Sequence, residues 1–256
     1  VKRWHRAMVT GAASGIGLAL CEKLILQGVE VIAIDVNNVK LQKNFDSNLL
    51  KYIDINLVNS KSVNKLIEQL KNIGKCDLII HNAGISATGK FEEIDPKAYE
   101  NLIRLNAGFP MQASIAMARE NCYADNTNLI FISSLSHATG YPGASVYGAS
   151  KDAIAIFAKS IRKPFAKRGI AVTTIFPGPV RTAHAERHAP KGASAEKRMM
   201  PEEVAIRILN AASRNAKTLH PGGVAKITGF LGKIAPNFMT KLMRKIIYDK
   251  LDRAVW

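Results

Sequence analysis

Within residues 134–151, SLSHATGYPGASVYGASK, a serine, a tyrosine and a lysine stand at spacings suited to moving a proton to or from an alcohol or carbonyl oxygen. Tyrosine is a poor acid–base group near neutral pH, because its unperturbed pKa is about 10. A lysine ammonium beside it favours the phenolate and lowers that value. Tyr147 and Lys151 are four residues apart, which puts them on one face of a helix. Ser134 can then hydrogen-bond the same substrate oxygen. Tyr-x-x-x-Lys alone also describes a surface helix that happens to carry both residues, so the surrounding chain has to decide.

Residues 7–10 read as a short strand, followed by Gly11-Ala12-Ala13-Ser14-Gly15-Ile16-Gly17 and a helical pattern over 18–27. Strand, glycine turn and helix are the setting of a dinucleotide site. The glycines let the backbone approach a pyrophosphate, and the helix N-terminus supplies N–H groups and partial positive charge. Residues 29–35, VEVIAID, form an apolar run suited to a buried parallel strand. It ends in Asp35, about 20 residues after the glycine turn, where an acid binds a ribose 2′-hydroxyl. Asp35 would repel a 2′-phosphate, and Val36 and Asn37 follow it rather than a basic residue, so NAD is expected over NADP. The competing reading is that Asp35 caps its own loop.

Further strands are expected over 49–55, with Asp54 near the end, and over 76–80. The latter runs into His81-Asn82-Ala83-Gly84, whose small residues admit an adenine ring or ribose. Residues 60–72 show a helical stripe of Val63, Leu66, Ile67 and Leu70. Helices are expected over 96–105 and 111–121, with Asn106 near the bend between them. Residues 128–133 form a strand that delivers Ser134. A helix over 147–168 follows, which Pro164 should kink or end early. A strand over 170–176 leads to Pro177-Gly178-Pro179-Val180-Arg181-Thr182. Alternating strands and helices imply an α/β fold, a Rossmann-type doubly wound parallel sheet with right-handed crossovers. Ligands of such sheets lie beyond the strand C-termini, and the glycine turn, Asp35, Asn82, Ser134 and Pro177 all fall at that edge.

One domain over 1–256 is expected, with residues 181–200 as a substrate lid and 221–256 as a basic, helical C-terminal extension. Residues 201–213 open with a proline and two glutamates, as a helix start does. In the extension Ile234, Phe238, Met239, Leu242, Met243, Ile246 and Ile247 recur at helical spacing, with Lys241, Arg244, Lys245 and Lys250 largely between them. Three readings apply to 238–251. The leading one is a helix packed on its own subunit. The others are a subunit interface and a membrane-surface helix, where each basic residue contributes about 1 kcal/mol near anionic headgroups.

The composition is that of an ordinary globular chain, 47% hydrophobic and 22% charged over 256 residues. No apolar run reaches the length of a spanning helix. No apolar signal region precedes the first motif, and the start at Val1 leaves a trimmed leader open. Cys21, Cys76 and Cys122 are widely separated, which argues against a disulfide framework or metal site and fits a reducing, cytoplasmic compartment. His5, His137, His184, His188 and His220 show no metal-ligand spacing; His137, between Ser134 and Tyr147, is either a substrate contact or a polar loop residue. The net charge of +16 suits an anionic cofactor, substrate or membrane surface. No basic motif for nucleic acid accompanies it.

Taken together, Thr10-Gly11-x-x-x-Gly15-x-Gly17, Asn82-Ala83-Gly84, Asn106, Ser134, Tyr147-x-x-x-Lys151 and Pro177-Gly178 resemble the short-chain dehydrogenase/reductase family in its non-extended form. The resemblance covers about 7–182 and returns in the helix after Pro201. It implies a catalytic tetrad of Asn106, Ser134, Tyr147 and Lys151. Tyr147 would be the acid in reduction and the base in oxidation, Ser134 the holder of the substrate oxygen, and Asn106 the holder of a water in a proton relay. Lys151 would lower the Tyr147 pKa and bind the nicotinamide ribose. Gly11, Ser14, Gly15, Ile16, Gly17, Asp35, Asp54, Ile55, Asn82, Ala83 and Gly84 would line the dinucleotide site toward its adenosine end. Pro177, Gly178, Val180 and Thr182 would hold the nicotinamide end. No metal site is expected, and the resemblance implies a homodimer or homotetramer. His81 replaces a frequent asparagine, a change expected to matter little. Pro164 replaces a common glutamate on a helix often used for assembly. The long basic tail resembles members acting on lipid-like ketones or alcohols. The implied reaction is NAD(H)-dependent interconversion of a secondary alcohol and its ketone. A catalytically silent sensor or scaffold, the alternative, would be expected to lack a tetrad member, and none is missing. A sugar-nucleotide epimerase of the extended family would be longer, with a different glycine spacing.

Overall fold

The apolar runs become seven strands in a computed structural model, which describes residues 4–37, 41, 48–138, 140–196, 198–251 and 253–256. They are β1 (Arg6–Thr10), β2 (Glu30–Asp35), β3 (Leu50–Asp54), β4 (Cys76–His81), β5 (Tyr123–Ile132), β6 (Ala171–Ile175) and β7 (Thr218–Leu219). They form one sheet in the order β3-β2-β1-β4-β5-β6-β7, every pair parallel. Helices α1 (Gly15–Leu26), α2 (Ser62–Ile73), α3 (Pro96–Ile103), α4 (Phe109–Arg119), α5 (Ser145–Ala166), α6 (Ala183–Arg187) and α7 (Pro201–Ser213) connect or follow the strands, and α8 (Gly223–Ile234) and α9 (Pro236–Ile246) make the C-terminal extension.

Successive strand residues point to opposite faces, which divides the core in two. Ala7, Val9, Val31 and Ala33 face α1 and α7, where Leu20 and Leu24 meet Val204 and Ile208. Met8, Ile32, Ile79 and Phe131 face the other way, onto Leu66, Leu70, Met117, Ile154 and Phe165 of α2, α4 and α5. Both sheet faces are thus covered, so the central strands are apolar throughout; all six residues of β4 are buried. The chain leaves β1 toward β2 on one side and returns to β4 on the other. The strand order therefore reverses between β1 and β4, and a crevice opens at their carboxyl ends.

The elements match the expected ones within a few residues, with three differences of substance. β5 begins at Tyr123, five residues before the apolar run that marks it, because its first half runs through the polar ADNT. The α5 helix carries over Pro164 and stops two residues later at Ala166. The proline thus sits in the last turn and the helix ends just beyond it, short of the expected 168, as its missing N–H and the clash of its ring with the preceding turn imply. The extension is not one helix but two, divided at Ala235 with Pro236 in the first position of α9. Residues 197 and 252, within the expected lid and tail, lie outside the described residues.

Candidate active site

The glycine turn is held by close contacts that leave no room for side chains. Gly11 adopts φ +65 and donates to the Ile34 carbonyl at 2.9 Å. A Cβ on Gly11 would lie 2.8 Å from the Ala83 Cα, and one on Gly17 would lie 2.0 Å from the Gly11 carbonyl oxygen. Gly15, at φ +52, presses against the Thr182 methyl, 2.9 Å from where its Cβ would be. Asn82 braces this turn from β4: its Nδ2 donates to the Thr10 and Gly11 carbonyls at 3.0 and 3.2 Å. Thr10 answers from β1, its Oγ1 accepting from the Asn82 and Ala83 amides, each at 3.0 Å. Ser14 precedes α1 in an extended conformation, and no side chain caps that helix start. The first N–H groups of α1, including those of Gly15, Ile16 and Gly17, therefore face the crevice edge with the positive end of the helix dipole.

Asp35 ends β2 beside this turn. One carboxylate oxygen accepts from the Ala13 amide at 2.9 Å, the other from Val36 and Asn37 at 2.8 and 3.1 Å. The loop-capping role is thus real. It does not exhaust the carboxylate, which has about four lone-pair sites. Tyr52 fixes the strand end by donating to the Asp35 carbonyl at 2.7 Å. Asp54 is exposed at the neighbouring end of β3 and Ile55 is buried behind it.

The other half of the crevice carries the proton-transfer candidates. Asn106 lies in a π-turn, Arg104–Gly108, between α3 and α4. Such wide turns re-aim a side chain inward. Asn106 is 2% exposed and fully engaged. Its Oδ1 accepts from the Ile85 amide at 2.9 Å, and its Nδ2 donates to the Ile85 carbonyl at 2.9 Å and to Ser150 Oγ at 3.0 Å. Ser150 in turn donates to the Tyr147 carbonyl at 2.7 Å. Lys151 Nζ donates to the Ile132 carbonyl at 3.0 Å and lies 5.8 Å from the centre of the Tyr147 ring. Ser134 hydrogen-bonds the Tyr147 hydroxyl. Gly84 completes the packing: a Cβ there would stand 3.1 Å from Lys151 Nζ and 3.2 Å from Asn106 Oδ1.

The electrostatics differ from the expectation in one respect. Burial raises the Tyr147 pKa above its ordinary value, with the Ser134 hydrogen bond working the other way. Lys151 itself is pushed down to about 8 by burial. The ammonium sits beside the ring rather than at the phenol and spends one donor on a main-chain carbonyl, so desolvation outweighs its attraction. A lysine with a lowered folded-state pKa costs stability below both its pKa values, and the cost is relieved as pH rises from the folded value toward the unfolded one. From about 8 to the ordinary 10.5 this amounts to about 3 kcal/mol. Lys151→Met is therefore expected to be more stable than the parent at neutral pH. That advantage should shrink between pH 8 and 10.5 in denaturant titrations of the two proteins. A stability difference independent of pH would contradict the assignment.

The loop after β6 reaches back to both halves. Leu135 donates to the Pro177 carbonyl at 2.9 Å, and Gly178 packs beside Leu135 and Ala225. Val180 is buried and bridges to Met199. Thr182 caps α6 by accepting from the Ala185 amide at 3.1 Å. Arg181 ties the segment together through the Ala195 and Glu196 carbonyls, both at 3.1 Å.

His137 pairs with Asp152 at 2.8 Å and leans on the Phe176 ring. These contacts account for His137 as a polar loop residue. His81 is buried and held near pKa 3 by desolvation, hence neutral. Ser114 gives its only proton to the Pro110 carbonyl at 2.6 Å, so at 3.2 Å it accepts from His81 Nε2. His81 is thus a core residue stacked on Phe131. No group of three or more His, Cys, Asp or Glu side chains among the described residues is arranged to hold a metal. Sequence reasoning had Thr10 only as part of the glycine motif, without its bracing role, and did not find Ser133 or Ser150 as parts of this site. Ser133 donates to the Lys151 carbonyl at 2.8 Å. The available signal was position: each lies next to a motif residue.

A family model described as short chain dehydrogenase matches residues 5–192. The chain belongs to the short-chain dehydrogenase family. It is an oxidoreductase of that family by this match and by its relatives. The 3-oxoacyl-(acyl-carrier-protein) reductase FabG of Haemophilus influenzae is 31% identical over 179 residues, 69% of this chain and 74% of that protein. Among solved structures, a 4-hydroxyisoleucine dehydrogenase complexed with NADH superimposes with a TM-score of 0.77 at 25% identity, over 86% of this chain and 97% of that one. A short-chain dehydrogenase from Sphingobium yanoikuyae in complex with NADPH shares the fold, with a TM-score of 0.76 at 20% identity over 92% and 95% of the two chains. Short-chain dehydrogenases use a nicotinamide cofactor. The cradle found here fits one: three glycines a Cβ would clash at, an uncapped helix start, and a carboxylate at the end of β2.

Proposed function

We propose that this short-chain dehydrogenase interconverts a secondary alcohol and its ketone with NAD(H), and that Tyr147 exchanges the proton. The observation that carries the reading is the cluster of Ser134, Tyr147, Lys151 and Asn106 at the carboxyl ends of β4 and β5, opposite the glycine turn. NAD(H), when bound, supplies or accepts the hydride. The turn Gly11-to-Gly17, with Ser14 and Ile16, holds the pyrophosphate on main-chain N–H groups. Asp35 holds the adenosine ribose, Asp54 and Ile55 border the adenine, and Ala83 and Gly84 let the cofactor lie against β4. Pro177, Gly178, Val180 and Thr182 hold the nicotinamide end. Asn82 acts through the turn it braces.

In the reducing direction Tyr147 gives its hydroxyl proton to the substrate oxygen as that oxygen gains charge, and in oxidation it takes the proton back. Ser134 orients the substrate oxygen and stabilises the developing charge. Lys151 holds the nicotinamide ribose and, when protonated, stabilises the phenolate. Asn106, itself held by the Ile85 main chain and Ser150, positions a water behind Lys151. The segment 181–200, tied down by Arg181 and capped by Thr182, covers the substrate. A reducing compartment belongs to the same reading, with Cys21, Cys76 and Cys122 as free, buried thiols. A homodimer or homotetramer is part of the same reading; Ile156 on α5 is exposed and available for it.

A substrate screen following NADH absorbance, with ketones and alcohols of increasing chain length, tests the reaction class; absence of turnover with every secondary alcohol and ketone would refute it. Cofactor choice rests on Asp35. A 2′-phosphate brought beside this carboxylate meets like charge, which costs binding. NADH is therefore expected to bind about tenfold or more tighter than NADPH, one tenfold step being about 1.4 kcal/mol. Asp35→Ala should narrow that ratio, mainly by weakening NADH. Fluorescence titration decides it, and a wild-type preference for NADPH overturns the assignment.

A further inference from the structure

The α8–α9 pair is inverted relative to an ordinary surface helix. An amphipathic helix normally buries its large apolar residues and exposes polar ones. Along α8 the large residues Ile227, Phe230, Leu231 and Ile234, at helical spacings of three and four, face outward, with Phe230 64% and Ile234 66% exposed. The residues toward the body are small: Ala225, Gly229 and Gly232 are buried, and Gly229 lies against His220. The α9 helix, in contact with α8, also exposes Phe238, Leu242 and Ile246, while Met239 alone of its apolar residues is deeply buried. The expected core packing of this segment is thus met by Met239 and Ile247 and by little else. Nor does any other described segment cover it. The final residues run elsewhere, Val255 pairing with Thr88 and Arg187 holding the Trp256 carbonyl.

Charge selects among occupants. Exposed Lys241, Arg244, Lys245 and Lys250 lie among or beside the apolar residues in sequence, and among the described residues Asp249 makes a 3.9 Å contact with Arg244. A second copy seated face to face would set these cations against their own counterparts, because a two-fold interface joins a patch to itself. An anionic bilayer surface takes both features at once, aromatic and aliphatic side chains at the acyl boundary and ammonium groups among the headgroups. No described helix is long and apolar enough to cross a membrane, which leaves contact at the surface.

We propose that α8 and α9 form a docking face for an anionic lipid bilayer. The face adjoins the site: α8 packs on the turn 135–138 that follows Ser134, and Ala225 touches the Gly178 loop. The proposal does not depend on the cofactor or the reaction.

The test is co-sedimentation of the full chain with vesicles of phosphatidylcholine alone and of phosphatidylcholine mixed with phosphatidylglycerol. Binding is expected to the mixed vesicles at low salt, where the screening length is about 30 Å, and is expected to fall toward 1 M salt, where it is about 3 Å. Phe230→Ser with Ile234→Ser removes two outward side chains without touching the core, and should lower binding on the order of tenfold with the circular dichroism spectrum unchanged. Lys241→Glu with Lys245→Glu should do the same while leaving the apolar face whole. Equal sedimentation with both vesicle types at low salt, or none with either, overturns the proposal. So does a serine variant that binds vesicles like the parent but turns a dimer into a monomer by light scattering, since the face then belongs to a second copy.

Discussion

Tyr147→Phe is expected to lower turnover by about 10²–10⁴-fold, the usual contribution of a positioned acid–base group, while NADH binds nearly as before. The phenyl ring keeps its place on α5 next to Tyr141, whose ring centre is 6.1 Å away. Only the hydroxyl, its hydrogen bond with Ser134 and its exchangeable proton are lost. Because burial raises the pKa of this phenol, the chain by itself keeps Tyr147 protonated at neutral pH, the form needed to donate to a ketone. In the oxidising direction the phenolate is needed, so the rate is expected to climb with pH through the range in which the phenol ionises. The Phe variant should lose that rise along with the rate. Turnover of Tyr147→Phe at the parent rate would remove Tyr147 from the mechanism. Lost turnover together with lost NADH binding would instead indicate a disrupted site, and Asn106 and Ser150 packing would be the place to look.

The second large effect belongs to Gly17→Ala. Alanine is about 1 kcal/mol better than glycine inside a helix, and Gly17 lies in the first turn of α1, so propensity alone favours the change. Sterics decide against it. The added methyl would stand 2.0 Å from the Gly11 carbonyl oxygen and 2.7 Å from Asn82 Nδ2. The first obstacle is main chain, and it is pinned by the Asn82 amide and by the Ile34 carbonyl, so it has nowhere to retreat. Overpacking commonly costs about 1–3 kcal/mol where neighbours can shift, and these cannot without opening the turn. NADH affinity is expected to fall about a hundredfold or more, near 2.7 kcal/mol. Fluorescence titration and a thermal melt together read the outcome. A Gly17→Ala protein that binds NADH like the parent would show that the pyrophosphate does not sit on this turn.

Much of the site was legible because it is built from local periodicities. Tyr147 and Lys151 share a helix face whatever the helix packs on, since four residues make just over one turn. The glycine turn, the apolar β2 and its terminal Asp35 follow one another within a single strand–turn–helix unit. The run of alternating strands and helices implies a parallel sheet, because parallel neighbours need a crossover between them. The family pattern joined these units into one candidate site, and the family match and the strand order agree with the family and the fold.

Tertiary structure decided what depends on groups far apart in the chain. Asn106 is oriented by Ile85 and Ser150, 21 and 44 positions away, and Lys151 by the carbonyl of Ile132. Asn82, expected to border the cofactor, turns out to spend its amide on Thr10 and Gly11, more than 70 positions earlier. The direction of the Tyr147 shift was equally out of reach, since desolvation depends on everything packed around the phenol and not on the residue four positions on. The extension shows the same divide. Its sequence specifies an apolar stripe and a set of lysines at helical spacing, and a stripe of that kind reads identically whether it faces inward or outward. For α8 the direction was settled by small residues on its inner side, Ala225 beside the Gly178 loop and Gly229 against His220 and Leu135, which let the helix lie close with Ile227, Phe230 and Ile234 turned outward.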